Sequence, residues 1–241
     1  MKVQLWKLNF HSCNNFRILL NWHSELFHFY YNMVKKLKRI KVLAKLKSLG
    51  LEVFTPREFR DVFDVSQKSA SVFISRNLND EGIFIKIRNG FYLVKDSFPS
   101  HFFIANKIYS PSYISLNAAL SYYGIIPEAV YAVVSITTKI SREFISPKGV
   151  FIYQRIKKSA FTGYGLQSID KERVLIATPE KALADYLYFV DLKRISLNDR
   201  LELKNINKSE LLLFVKLFKR PSMLKLVDHI YVEYKKPRKI Y

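Results

Sequence analysis

The chain has 241 residues, with 40 Lys or Arg and 20 Asp or Glu, so its formal charge is +20 at pH 7. Its single cysteine, Cys13, excludes an internal disulfide and a cysteine-cluster zinc site, and it fits a reducing cytoplasm. The five histidines show no metal-ligand spacing, and there is no run of about 18 apolar residues to span a membrane. We therefore expect a cytoplasmic protein with no metal, no cofactor and no membrane partner.

The positive charge favours a nucleic-acid partner. Duplex DNA carries one phosphate charge per ~1.7 Å of its axis, so a strongly basic protein is attracted to it. An AT-rich genome, whose codons favour Lys, Ile, Asn, Phe and Tyr, is an alternative origin of the charge. That alternative is weaker near the N-terminus, where one predicted helix carries Lys35, Lys36, Lys38, Arg39, Lys41, Lys45 and Lys47.

The N-terminal 32 residues show no clear period and no helix cap. Met33 begins a predicted helix that ends at Gly50. Two interpretations stay open: Met33 is the native initiator, or residues 1–32 form a loosely attached extension. In both cases the first predicted domain covers residues 33–97.

Two short helices are predicted after residue 54. Thr55 and Glu58 have the spacing of a capping box, and Pro56 suits the first turn of the first helix. Asp64-Val65 is a turn, after which Ser66 caps the second helix. In that helix one apolar stripe is formed by Ala70, Phe73, Ile74 and Leu78.

A hairpin is predicted next, with strands at residues 83–87 and 91–94 joined through Arg88-Asn89-Gly90. Helix, turn, helix and hairpin in this order are typical of a winged helix-turn-helix DNA-binding domain. A corner of an ordinary α/β core is the alternative. The polar positions of the region are the candidate DNA contacts: Thr55, Ser66, Gln67, Lys68, Ser69, Ser71, Ser75, Arg76, Lys86, Arg88 and Asn89.

Residues 98–241 are predicted to form a mixed α/β domain, so the fold class is α+β. Strands are expected within residues 130–138, 144–145, 150–153 and 175–177. Helices are expected at 104–109, at 116–123 with Ser115 as cap, after Thr178, at 204–218 and at 222–231. Lys181 and Asp185 have the i,i+4 spacing of a surface ion pair worth a few tenths of a kcal/mol. The basic tail, residues 235–239, is expected to be disordered.

Five cations form a second candidate site. If residues 130–155 make adjacent strands, these cations gather near one edge of the sheet, where a phosphate-bearing partner such as RNA, a nucleotide or DNA would suit them. A solvated basic face is an equally good interpretation. The cluster consists of Lys139, Arg142, Arg155, Lys157 and Lys158.

No enzyme motif stands out in the chain. The seven glycines form no phosphate-binding loop, and there is no Gly-x-Ser-x-Gly elbow. Glu233-Tyr234-Lys235 with Asp228 is the nearest approach to nuclease chemistry, but the nucleases with a similar Glu-x-Lys carry the Asp well upstream on a separate strand. We therefore expect no catalytic residues.

Three segments follow the hairpin in order: YISLNAALSYYGIIPE (113–128), TTKISREFISPKGVFIYQRIKKSAFTGY (137–164) and IATPEKALADYLYF (176–189). Together they resemble the AbiEi antitoxin family of the AbiE type IV toxin–antitoxin and phage abortive-infection systems. The hairpin stretch Arg88-Asn89-Gly90-Phe91-Tyr92 also resembles the basic-x-Gly-x-Tyr turn of that family. The match covers about residues 34–190, and ATPEKAL, residues 177–183, is its sharpest part.

This resemblance implies a winged helix-turn-helix followed by an antitoxin domain. It also implies a protein that binds inverted repeats in its own promoter, represses its operon and neutralises a nucleotidyltransferase toxin without a stable complex. The alternative is an orphan winged-helix regulator whose second domain senses a ligand or oligomerises.

Overall fold

The computed structural model describes residues 37–234. The predictions for residues 1–32, for the start at Met33 and for the tail at 235–239 lie outside the described residues. Between residues 37 and 234 the chain forms both helices and strands, which confirms the α+β class. The N-terminal part, residues 37–97, and the C-terminal part, residues 98–234, each contain a sheet.

The N-terminal part has three helices and a three-stranded antiparallel sheet of order β1-β3-β2. The helices are α1 (Arg39–Ser48), α2 (Pro56–Phe63) and α3 (Gln67–Arg76). The strands are β1 (Val53–Phe54), β2 (Phe84–Arg88) and β3 (Phe91–Val94). The helix–turn–helix–hairpin order is the predicted one, whereas β1 was not predicted because two residues show no period.

Local hydrogen bonds begin α2 and α3 as the sequence predicts. The Thr55 hydroxyl accepts the Glu58 N–H at 3.2 Å, and the Glu58 carboxylate accepts the Thr55 N–H at 2.8 Å. The Ser66 hydroxyl accepts the Ser69 N–H at 3.1 Å. These bonds satisfy backbone donors that have no partner within their helices, so each helix has a defined first residue.

The C-terminal part is built on a six-stranded mixed sheet of order β6-β7-β5-β4-β9-β8. Its strands are β4 (Ser112–Ile114), β5 (Ala132–Thr137), β6 (Arg142–Ser146), β7 (Gly149–Arg155), β8 (Tyr164–Ile169) and β9 (Glu172–Ala177). The pairs β5–β7 and β4–β9 are parallel, and the other neighbours are antiparallel. The sequence did not predict β4 or β8.

Five α-helices accompany this sheet among the described residues. They are α4 (His101–Ile108), α5 (Leu116–Tyr122), α6 (Pro179–Asp191), α7 (Lys208–Lys216) and α8 (Pro221–Tyr234). Helix α6 starts as predicted, with Thr178 accepting the Lys181 N–H at 3.2 Å. Helix α7 starts four residues later than predicted, because the Asn207 side chain accepts the Ser209 N–H and so caps the helix there.

The small sheet of the N-terminal part contributes to two cores. Phe54 and Phe84 pack with helices α1 to α3, and their ring centroids lie 4.9 Å apart. Val53, Ile87 and Leu93 instead belong to the core of the C-terminal part. Because successive side chains of a strand point to opposite faces, one thin sheet serves both cores. The two parts are therefore packed against each other through it.

A buried ion pair lies at the centre of the C-terminal part. The Lys181 ammonium donates to the Asp185 carboxylate, and both side chains are 0% exposed. The same carboxylate accepts the Tyr113 hydroxyl at 2.9 Å and the Ser115 hydroxyl at 2.8 Å. Burial raises the pKa of Tyr113, and the neighbouring Asp185 charge raises it further, so the hydroxyl stays a donor.

Two sequence predictions about this region are wrong. Lys181 and Asp185 do not form a surface pair, because α6 is covered by α5, α7 and α8 and is buried along most of its length. Ser115 occupies the position before α5, but its side chain makes no cap hydrogen bond. Its hydroxyl donates to Asp185 instead. In both cases a contact between distant residues replaces the local one.

We predict that Asp185→Ala lowers the free energy of unfolding by about 3–5 kcal/mol, because it leaves the Lys181 ammonium buried without a counter-ion. Urea denaturation followed by circular dichroism measures the loss. Asp228→Ala is the matched control, because Asp228 pairs with Lys208 at 3.1 Å on the surface and its loss should cost under about 1 kcal/mol. Similar small losses in both variants would show that the buried pair contributes little.

Candidate nucleic-acid interface

Helix α3 presents a polar face to solvent. Ala70 and Ile74 turn inward and are buried, as their spacing of four residues requires. The opposite positions are exposed, and they are Gln67, Lys68, Ser71, Ser75 and Arg76. The helix therefore carries hydrogen-bonding groups and two cations along its outer side.

Three other candidate residues are engaged in local hydrogen bonds. The Thr55 hydroxyl donates to the Glu58 carboxylate at 2.9 Å. The Ser66 and Ser69 hydroxyls lie 2.8 Å apart and share a hydrogen bond. These side chains define the starts of α2 and α3, and their contact with DNA stays a prediction.

The two cations of the hairpin, Lys86 and Arg88, have different surroundings. Lys86 is exposed on β2, and Asn89 is exposed in the turn. The Arg88 Nε donates to the Ile108 carbonyl at 2.7 Å, and the guanidinium lies 4.1 Å from the Phe91 ring centre and 5.0 Å from that of Phe144. Arg88 therefore contacts the C-terminal part, whereas the sequence analysis placed it among the candidate DNA contacts.

A β-bulge explains the position of Arg88. Lys86 pairs with Tyr92 and Arg88 pairs with Phe91, so Ile87 is an extra residue on β2. In a regular strand Lys86 and Arg88 would share a face, but the bulge breaks this alternation and re-aims the later side chain. Arg88 then lies on the side of the buried Ile87, toward the C-terminal part.

An ion pair also joins the two parts. The Lys107 ammonium of α4 lies 2.6 Å from the Glu58 carboxylate at the start of α2. Burial on its own raises the pKa of Glu58, but the hydrogen bonds from Lys107 and Thr55 outweigh it and hold the pKa below its usual value. The capping box of α2 is therefore tied to the C-terminal part.

The basic cluster of the C-terminal part is only partly free for a ligand. Strands β5, β7 and β6 are neighbours, and Arg142 and Arg155 lie at the same end of the sheet. The Lys139 ammonium donates to the Ser110 carbonyl at 2.5 Å, and the Lys157 ammonium donates to the Phe218 carbonyl. Both ammonium groups are thus hydrogen-bonded to backbone carbonyls, while Arg142, Arg155 and Lys158 are exposed.

Between residues 37 and 234, no group of three or more His, Cys, Asp or Glu is placed to hold a metal ion. None of the helices in that range combines the length and the apolar character needed to cross a bilayer. Asp228, the aspartate of the nuclease comparison, lies within helix α8 and forms an ion pair with Lys208.

No protein-family model matches the chain, and no curated protein matches it either. The resemblance to the AbiEi family therefore rests on the segments quoted above. Within the described residues, those segments contain all four side chains of the buried network: Tyr113, Ser115, Lys181 and Asp185. The motif residues thus have a structural explanation of their own.

We predict that Glu58→Gln destabilises the protein by up to about 1 kcal/mol at pH 7 and by less at pH 3. A carboxyl whose pKa is lowered by folding stabilises the protein above its unfolded pKa, about 4.3, and that contribution is lost as the pH falls through the folded value. Urea midpoints of the wild type and the variant across this range measure the difference.

Lys107→Met provides the control, because it removes the partner of Glu58. In that background the effect of Glu58→Gln should shrink at pH 7. An effect of Glu58→Gln that is independent of both pH and Lys107 would mean that the ion pair does not join the two parts.

Proposed function

We propose that the chain is a DNA-binding antitoxin. It represses its own operon through inverted repeats in the promoter and neutralises a nucleotidyltransferase toxin without a stable complex. Residues 33–97 act as a winged helix-turn-helix DNA-binding domain, and residues 98–241 act as the antitoxin domain. The protein works in the cytoplasm and has no enzymatic activity of its own.

The observation that carries the DNA-binding proposal is the exposed polar face of α3. The major groove of B-DNA is ~12 Å wide and admits a helix. Gln67 and Lys68 lie in the first turn, where a recognition helix contacts base edges. Glutamine can donate to and accept from adenine, and lysine can donate to guanine, so both side chains suit direct readout.

Cations around this face supply phosphate contacts. Lys86 on the hairpin is exposed, and Asn89 at the turn adds a neutral hydrogen-bonding group. Elsewhere in the N-terminal part, helix α1 carries the exposed lysines Lys41, Lys45 and Lys47, and the exposed Lys38 directly precedes it. Such contacts position a protein on the duplex and make its affinity fall steeply with salt. Arg88 is left out of this set because it contacts Ile108 and Phe144.

The antitoxin part of the proposal is supported by the resemblance of residues 113–189. The residues that carry the resemblance also hold the core together. The resemblance therefore does not identify the side chains that neutralise the toxin. We therefore assign the neutralising function to the domain and not to single side chains.

We expect the chain to bind the inverted repeats upstream of its gene with an affinity that falls about 10³-fold or more between 50 and 200 mM salt, if at least six phosphates are contacted. Gln67→Ala with Lys68→Ala should reduce the preference for these repeats by about 10-fold or more, since each base contact is worth ~1–3 kcal/mol. Gel-shift titrations with the upstream duplex and a scrambled duplex measure this preference.

Lys225→Ala is the matched control, because Lys225 is an exposed lysine on α8 of the C-terminal part. It should keep the preference of the wild type. Equal preference in the wild type and the Gln67→Ala, Lys68→Ala variant would rule out α3 as the recognition helix.

Neutralisation is tested by growth. Cells that express a nucleotidyltransferase encoded beside this gene should recover when the chain is supplied from an unrelated promoter. The Gln67→Ala, Lys68→Ala variant should also rescue, because it leaves the C-terminal core intact. Repression without rescue, or the absence of such a neighbouring gene, would favour the orphan winged-helix regulator.

A further inference from the structure

A cleft of about 700 Å³ lies between the hairpin of the N-terminal part and strand β6 of the C-terminal part. Its walls are residues 86–89 on one side and 142–145 on the other, together with Tyr109. Strands β2 and β6 are each the last strand of their sheet, so two sheet edges border the cleft. Its volume is within the range of small-molecule sites, ~300–1,000 Å³.

The lining carries more positive than negative charge. Lys86, Arg88 and Arg142 are cations, and Glu143 is the one carboxylate among the lining residues. Lys86 and Arg142 are exposed, and within residues 37–234 their side chains form no hydrogen bond or ion pair. Two cations that border the cleft, one on each wall, are thus available to an anionic ligand.

Aromatic rings form part of the same lining. The Tyr109 and Phe144 ring centres are 5.7 Å apart at an angle of 62°. The Arg88 guanidinium covers one side of Phe144, with 5.0 Å to the ring centre, and its bond to Ile108 holds it in place. A planar heterocycle can stack on an aromatic ring of this kind.

The carboxylate of Glu143 favours a nucleotide over a nucleic-acid strand as the ligand of the cleft. A carboxylate repels a continuous phosphate backbone, but it accepts hydrogen bonds from the amino group of a base or from ribose hydroxyls. The side-chain amide of Asn89, in the hairpin turn, can both donate and accept a hydrogen bond. The lining therefore has separate groups for phosphate, for sugar or base polar atoms, and for the ring.

We propose that this cleft binds a nucleoside triphosphate. Lys86 and Arg142 bind its phosphates from the two walls, Glu143 accepts hydrogen bonds from its base or ribose, and the base packs against Tyr109 and Phe144. The proposal does not rest on the proposed DNA and toxin functions, because nucleotide binding to the purified chain is measured without operator and without toxin.

Isothermal titration calorimetry of the full chain with ATP, GTP, CTP and UTP tests the proposal. At least one of the four should bind with a stoichiometry of one per chain. Arg142→Ala should weaken that binding by about 10-fold or more, because a charge-assisted contact is lost. Arg173→Ala is the matched control, because Arg173 is an exposed arginine on β9 outside the cleft, and it should bind as the wild type does.

Two further probes separate the parts of the ligand. Tripolyphosphate lacks the base and the ribose, and the nucleoside of the bound nucleotide lacks the phosphates, so each should bind more weakly than the triphosphate. The proposal fails if none of the four nucleotides binds. It also fails if tripolyphosphate binds as tightly as the nucleotide, or if Arg142→Ala and Arg173→Ala weaken binding equally, since either result indicates only attraction to a basic protein. Circular dichroism confirms that both variants are folded.

Discussion

The buried contact between Lys181 and Asp185 is the interaction on which the C-terminal part depends. Its carboxylate also accepts hydrogen bonds from Tyr113 and Ser115, so α6 is joined to β4 and to the turn after it. The ammonium lies 4.9 Å from the centre of the Phe218 ring and is shielded from water. Two charges withdrawn from water are tolerated only with this geometry, because either one alone would cost several kcal/mol. The network therefore fixes how α6 lies on the sheet.

This C-terminal core in turn positions the N-terminal part. The small sheet places Val53, Ile87 and Leu93 in the larger core and keeps Phe54 and Phe84 for the core beneath α3. Two polar contacts at the rim further restrict how the two parts are oriented. They join Arg88 to Ile108 and Glu58 to Lys107. The orientation of α3 is consequently linked to the C-terminal part, and a substitution at the junction is expected to affect both parts.

The features that the sequence predicted correctly depend on residues within a few positions of one another. The Thr55–Glu58 capping box, the Asn89–Gly90 turn and the Thr178 cap are of this kind. Strand β4 was missed because its three residues show no period, and its pairing with β5 and β9 involves residues far along the chain. The spacing of Lys181 and Asp185 is the same for a surface pair and for a buried pair. Helices distant in sequence decide which of the two forms.

The same distinction between nearby and distant residues applies to the candidate interface. The exposed residues of α3 follow from the helical period, because Ala70 and Ile74 fix which side is buried. Arg88 could not be placed in this way, because its partners, Ile108 and Phe144, are 20 and more residues away and a bulge reverses its side of the strand. Lys86 precedes the bulge, keeps its regular pairing with Tyr92 and is exposed beside the cleft, whereas the bulge turns Arg88 into the cleft wall. One extra residue in β2 thus turns Arg88 toward the C-terminal part, where it helps to hold the two parts together.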